Sequence, residues 1–231
     1  MDFINNLKLN LGQKEYISNI NDKIYKEFPP DLYDHTISTL FFCEKLAGKY
    51  ILNDDVNNSS EGLLYNNSNN EIYYKLCISA MLHDYGKIFS LRELKEIALK
   101  NKNELNATEE DLDIIAILHG FAGAFIIRDE FDINDTEILN SVKYHTIGYC
   151  NMSILDKIIY ISDKIEERRN YKEVFYLREL SLKNINLCLL EVYKNNIIYI
   201  IRNNKKIYSD TCKIWNNICE LYGGLLNGPG R

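Results

Sequence analysis

Six side chains spread along this chain have the types that hold metal ions: His35, the adjacent His83 and Asp84, His119, His145 and Asp163. The four histidines are all the chain has, and each sits in or beside an apolar stretch of helical spacing. A buried imidazole needs partners for its ring nitrogens. A lone one usually finds a carbonyl, whereas four in so histidine-poor a chain invite one shared explanation. The His-Asp doublet in "MLHDYGKIF" reads equally well by itself as a helix end with a locally bonded ring. Asp163 interrupts the apolar run "KIIYISDKI", where an unpaired carboxylate facing the core would be costly to desolvate. A nearby Lys or Arg on an exposed face would account for it alone; beside the histidines it reads as a ligand. Imidazole and carboxylate together suit iron, manganese, zinc or cobalt better than magnesium.

The elements that must carry these residues are helical. With 231 residues, 46% hydrophobic and 26% charged, the chain can bury a sizeable core. It has three prolines, two of them at 29 and 30, and its apolar spacing is helical nearly throughout. The expected fold is all-α, one helical bundle over residues 1–231. Ile37, Leu40, Phe41, Leu46 and Ala47 follow a buried helical stripe, with Gly48 as a stop. Ser90 with Glu93, and Thr108 with Asp111, read as capping pairs that open helices. A helix is expected from Thr136 to about His145 with Ile138, Leu139 and Val142 inward, and His145, seven residues after Ile138, lies on that inward face. Ser153 caps "ILDKIIYISDKIEE", and amphipathic segments cover about 174–201 and 209–222. The Asn- and Ser-rich stretch 53–71 is expected to be a flexible, solvated loop.

Composition also narrows the function classes. A net charge of −6 and a pI near 5.3 argue against a nucleic-acid surface, which needs a basic stripe. The apolar runs are too short to span a membrane, and the first residues lack a secretory pattern, so a cytoplasmic location is expected. The six cysteines show no C-x-x-C spacing and read as reduced core residues. There is no phosphate-binding glycine loop, no dinucleotide fingerprint and no G-x-S-x-G elbow. The 17 tyrosines are most simply a bias of composition.

The order His35, His83-Asp84, His119, His145, Asp163 resembles the HD-domain metal-dependent phosphohydrolases, whose minimal pattern is H…HD…D; the two added histidines resemble the branch that holds two metals. The flanking "LYDHT", "LHDYGK", "LHGFAGA", "VKYHTIG" and "LDKIIYISDKIE", with Arg169 and Arg178, are similar to the YqeK-type symmetrical bis(5'-nucleosyl)-tetraphosphatases over roughly 29–222. The chain departs from that pattern at Leu32, where an arginine is usual, at Glu167 in place of a proline, and at Ser209-Asp210-Thr211 in place of Pro-Asp-Thr.

The resemblance implies that His35, His83, Asp84 and Asp163 hold one divalent metal, and that Asp84 bridges to a second taken by His119 and His145. Iron is the metal expected, with manganese and cobalt as alternatives. Two cations about 3.5–4 Å apart can share a hydroxide and clamp a phosphate. The implied reaction is the cleavage of diadenosine tetraphosphate to two ADP by that hydroxide, and the implied partner is that dinucleoside polyphosphate or another nucleotide substrate. Asp84 and Lys87 are the expected catalytic residues. Lys87, three residues after Asp84, and Arg169 are expected to hold phosphate. Thr146 is expected to bond behind the ligands and Gly148 to let backbone approach the substrate. Arg178 reads as a structural ion pair and Arg168 as a helix-end charge. The resemblance also allows a homodimer. Competing readings are a broader nucleotide phosphatase or phosphodiesterase on the same centre, a di-iron oxygenase, and a nucleotide sensor without turnover.

Overall fold

The structure, a computed structural model, describes residues 2–52, 67–105 and 107–226. Among them are eleven α-helices, four short 3-10 turns and no strand, as the helical spacing predicts. Three helices come first, α1 (Asp2–Asn6), α2 (Leu11–Glu27) and α3 (Pro30–Tyr50). Asn10 and Gln13 form a reciprocal capping box at α2. The proline pair opens α3, where a missing N–H costs nothing. Next come α4 (Asn67–Leu82), α5 (Leu91–Lys100), α6 (Ile115–Phe131) and α7 (Thr136–Tyr144). The last four are α8 (Ile154–Ile165), α9 (Val174–Lys183), α10 (Ile185–Arg202) and α11 (Thr211–Tyr222).

α3 lies against α4 and α8, α4 also meets α7, and α6 packs on α7 and α5. α10 sits behind α8 and is flanked by α9 and α11. Side chains such as Leu40, Leu46, Leu76, Phe121 and Ile158 are buried between these layers, each contributing roughly 1.5–3 kcal/mol by leaving water. α6 is the central helix, since every residue from Ile117 to Ile127 is buried. A helix apolar on all sides belongs inside a core, and this one carries His119.

The structure corrects several local expectations. Phe41 is 46% exposed and packs edge-on against Phe3 of α1; the inward face of α3 is rotated toward Thr36, Thr39, Leu40 and Cys43. The segment 174–201 is two helices, because Asn184 turns extended and its side chain accepts from the N–H groups of Asn186 and Leu187. Thr108 and Asp111 do bond reciprocally, but they head a single 3-10 turn, and α6 starts only at Ile115. Asp111 instead accepts from the N–H and hydroxyl of Ser209, which ties the start of α11 to that turn. Of the expected loop 53–71, residues 53–66 lie outside the described residues, whereas 67–71 form the first turn of α4. The buried Tyr73, bonded to Glu44, anchors that extension.

One glycine decides how the centre is assembled. Gly86 sits in the 3-10 turn Tyr85–Ile88 that follows the His-Asp doublet, and a Cβ there would fall 2.2 Å from the carbonyl oxygen of His119. Backbone cannot yield as a flexible side chain would, so only glycine lets this turn touch α6. Gly86→Ala is therefore expected to destabilise the protein by about 1–3 kcal/mol, read as a lower urea midpoint; an unchanged midpoint would refute this packing.

Candidate metal centre

Five elements deliver the six side chains. His35 lies in the second turn of α3. α4 stops at Leu82, so His83 and Asp84 stand just past its end, and Asp84 adopts φ −103° and ψ 9° as it enters the 3-10 turn. His119 comes from the start of α6, His145 caps the C-terminus of α7, and Asp163 comes from the last turn of α8. His83, Asp84, His119, His145 and Asp163 are buried, and His35 is largely so.

Their ligand atoms converge as two groups, His35, His83 and Asp163 in one and Asp84, His119 and His145 in the other. Asp84 faces both. Its Oδ2 is 3.3 Å from His83 Nε2 and 3.5 Å from His35 Nε2, while its Oδ1 is 3.2 Å from His119 Nε2 and 3.4 Å from His145 Nε2. Asp163 Oδ1 lies 3.1 Å from His35 Nε2 and 4.0 Å from His83 Nε2.

The ring tautomers follow from the far side of each ring. His83 Nδ1 donates to the Ala80 carbonyl at 2.8 Å, and His145 Nδ1 to the Val142 carbonyl at 2.7 Å. Both rings, if neutral, therefore present an Nε2 lone pair to the centre. His35 Nδ1 meets Glu166 Oε1 at 3.1 Å, the carboxylate–histidine arrangement that orients metal ligands. His83 Nε2 and Asp84 Oδ1 are buried without a hydrogen-bond partner, and the Nε2 atoms of His119 and His145 lie 3.1 Å apart. Acceptors crowded face to face repel one another unless a cation or proton lies between them. The donor set is imidazole and carboxylate, which fits a divalent transition metal.

The electrostatics agree with a tightly coupled cluster. Burial disfavours charge on Asp84, yet His83, His119 and His145 outweigh it and hold the carboxyl well below the usual range. Asp163 is also held low, against burial, by Lys164 and His35. Burial pushes His145 down to about 4, against the pull of Asp84. Burial opposes charge on His35 too, but Asp163 and Glu166 lift it to about 9.

Around this cluster stand the charged residues expected from sequence. α4 does not continue to Lys87, yet the 3-10 turn still brings its Nζ to Asp84 Oδ2, where it donates at 2.6 Å. Arg169 donates from Nε to the Asp163 carbonyl and from Nη2 to Asp163 Oδ1, both at 2.9 Å. Arg178 does more than pair with a carboxylate. It donates to the carbonyls of Ile165, Glu166 and Arg169 and so closes the C-terminal end of α8. Arg168 pairs with Asp34 at 2.6 Å. Thr146 Oγ1 is buried without a hydrogen-bond partner. Gly148 has φ +68° and ends the turn after α7, its N–H donating to the Tyr144 carbonyl. Sequence reasoning missed Glu166 and Lys164. Glu166 stands three residues after Asp163, one helical turn on, and that spacing alone could have marked it as a partner for a nearby ligand.

Comparison with known proteins agrees with this geometry. The HD domain pattern matches residues 32–168, a span that contains all six side chains. The symmetrical bis(5'-nucleosyl)-tetraphosphatase of Bacillus subtilis is 30% identical over 139 residues, covering 60% of this chain and 73% of that protein. The protein of the same name from Staphylococcus aureus is 29% identical, covering 62% and 73%. A crystal structure of a predicted HD superfamily hydrolase involved in NAD metabolism, from Clostridium acetobutylicum, superposes with a TM-score of 0.73 at 27% identity, over 88% of this chain and 97% of that one. With the family pattern covering more than half of the chain and embracing the whole cluster, this chain belongs to the HD domain family.

Proposed function

We propose that this protein is a phosphohydrolase that cuts diadenosine tetraphosphate at its centre to yield two ADP, with two divalent cations, natively iron, at the Asp84 cluster. The observation that carries the reading is the Asp84 carboxylate, whose two oxygens face two separate groups of ligands. The relatives named as symmetrical tetraphosphatases support the choice of substrate. His35, His83 and Asp163 would hold one cation and His119 and His145 the other, with Asp84 between them. Cations so held lower the pKa of a coordinated water and neutralise phosphate charge.

The protein's own residues prepare the rest. The backbone carbonyls of Ala80 and Val142 and the carboxylate of Glu166 fix His83, His145 and His35 in the orientation that turns Nε2 inward. Lys87 is 41% exposed at its side chain, so its ammonium can leave Asp84 for an arriving phosphate. Arg169, equally exposed and braced on Asp163, presents the rest of its guanidinium to a phosphate oxygen. Thr146 keeps an unengaged hydroxyl beside His145. These groups offset the charge of a tetraphosphate and set its path past the cluster.

Metal-reconstituted protein is expected to convert diadenosine tetraphosphate to ADP as sole nucleotide product in chromatography; AMP with ATP would disprove central cleavage. Asp84→Ala is expected to lower turnover by more than about a hundredfold, beyond the cost of losing a residue behind a metal ligand, and to reduce bound metal by elemental analysis. Glu166→Gln leaves every ligand in place and is expected to weaken metal affinity by about 10–100-fold. Wild-type affinity in a chelator titration of that variant would remove Glu166 from the site.

A further inference from the structure

Two cavities open beside the cluster, of about 620 Å³ and 610 Å³, both within the roughly 300–1,000 Å³ of small-molecule sites. They share a wall, since Lys164, Asn196 and Tyr199 line both. The first borders the cluster through Thr146, next to His145, and the second through Arg169, bonded to Asp163. Each adds two cations of its own, Lys205 and Lys206 in the first, Arg169 and Arg202 in the second. In a chain of net charge −6 this is a marked local reversal. The acidic residues lining them are Asp113, already paired with Lys95, and Glu173. Apolar and aromatic surface accompanies the charge on both sides, including Tyr193 and Ile197 in the first and Tyr171 and Val192 in the second.

Lys164 occupies the junction. Its Nζ donates to the His145 carbonyl at 3.0 Å and to Asp163 Oδ2 at 3.4 Å, and it sits 3.9 Å from the centre of the Tyr160 ring. These contacts hold an ammonium group in place beside residues of both ligand groups. Among the described residues it is the one cation that lines both cavities.

We infer that the two cavities are paired subsites for the two nucleoside ends of one dinucleoside polyphosphate, and that Lys164 is the positioning residue that holds the middle of the phosphate chain against the cluster. The inference rests on the function proposed above and adds how a central cut is chosen. A single pocket would locate the reacting bond by its distance from one end. Two arms about a shared cation present the same middle bond whichever nucleoside enters which cavity.

The test counts ligands before it measures turnover. Manganese-loaded protein in equilibrium dialysis is expected to bind two ADP per chain, and Ala116→Trp, at a residue that lines only the first cavity, or Asn195→Trp, at one that lines only the second, one each. Each filling variant is expected to lower kcat/KM for diadenosine tetraphosphate by at least about tenfold while retaining most activity on adenosine 5'-tetraphosphate, which needs a single arm. Lys164→Met is expected to lower kcat/KM for both by about tenfold with metal content unchanged, and Lys164→Arg to recover part of it. One ADP per wild-type chain, or full dinucleotide activity in either filling variant, overturns the paired subsites; full activity in Lys164→Met overturns the role of the lysine. Two bound ADP with AMP and ATP as products would instead overturn the central-cleavage reading and leave the paired subsites standing.

Discussion

A carboxylate sealed from water governs this structure. Asp84 is fully buried, and removing such a charge from solvent costs several kcal/mol unless its surroundings compensate. Four imidazoles and the Lys87 ammonium surround its two oxygens within 3.5 Å, the ammonium offsetting the charge directly and the rings offsetting it by sharing a proton or a cation with the carboxylate. None of those partners except Lys87 and the adjacent His83 is close in sequence. The compensation therefore exists only once α3, α6 and α7 have docked on the end of α4, and the bundle must assemble correctly to make the buried charge tolerable.

Helix ends solve a second problem at the same place. The last carbonyls of a helix have no partner within it, and α4 and α7 both end one residue before a histidine of the cluster. His83 and His145 each turn back to donate to the carbonyl three residues earlier. One hydrogen bond thus satisfies a helix terminus and sets the ring tautomer. His35, in the body of a helix whose carbonyls are already engaged, needs an outside partner and finds it in Glu166 across the interface of α3 with the end of α8. That end is in turn held by Arg178, which gathers the carbonyls of Ile165, Glu166 and Arg169. The His35 ring is therefore oriented through a chain of contacts that reaches back to Arg178.

Polarity is graded outward from the cluster. The histidines and aspartates of the cluster are buried or nearly so, the ammonium of Lys164 lies just beyond, and Lys87 and Arg169 are partly open to solvent. Lys164, Lys87 and Arg169 therefore lie on the solvent side of the buried cluster. The arrangement gives an acidic chain a positively lined entrance without any basic stripe along its sequence, because residues from α6, α8, α10 and the segments after them meet only in the fold.

The sequence by itself determined the helical class, the caps at Ser90 and Ser153, and the six histidine and aspartate side chains that the fold then brings together. Those features are local, or are carried by rare residue types in a recognisable order, so they survive without three-dimensional information. Only the tertiary structure decided that Phe41 faces out, that Asn184 divides one amphipathic segment into two helices, and that Thr108 and Asp111 cap a single turn and then tie down Ser209. It also decided that Glu166 stands behind His35 and that Lys164 joins two cavities. Which face of a helix is buried, and which distant carboxylate or ammonium reaches a ligand, depends on how separate helices pack, and hydrophobic periodicity along one segment carries no information about its neighbours.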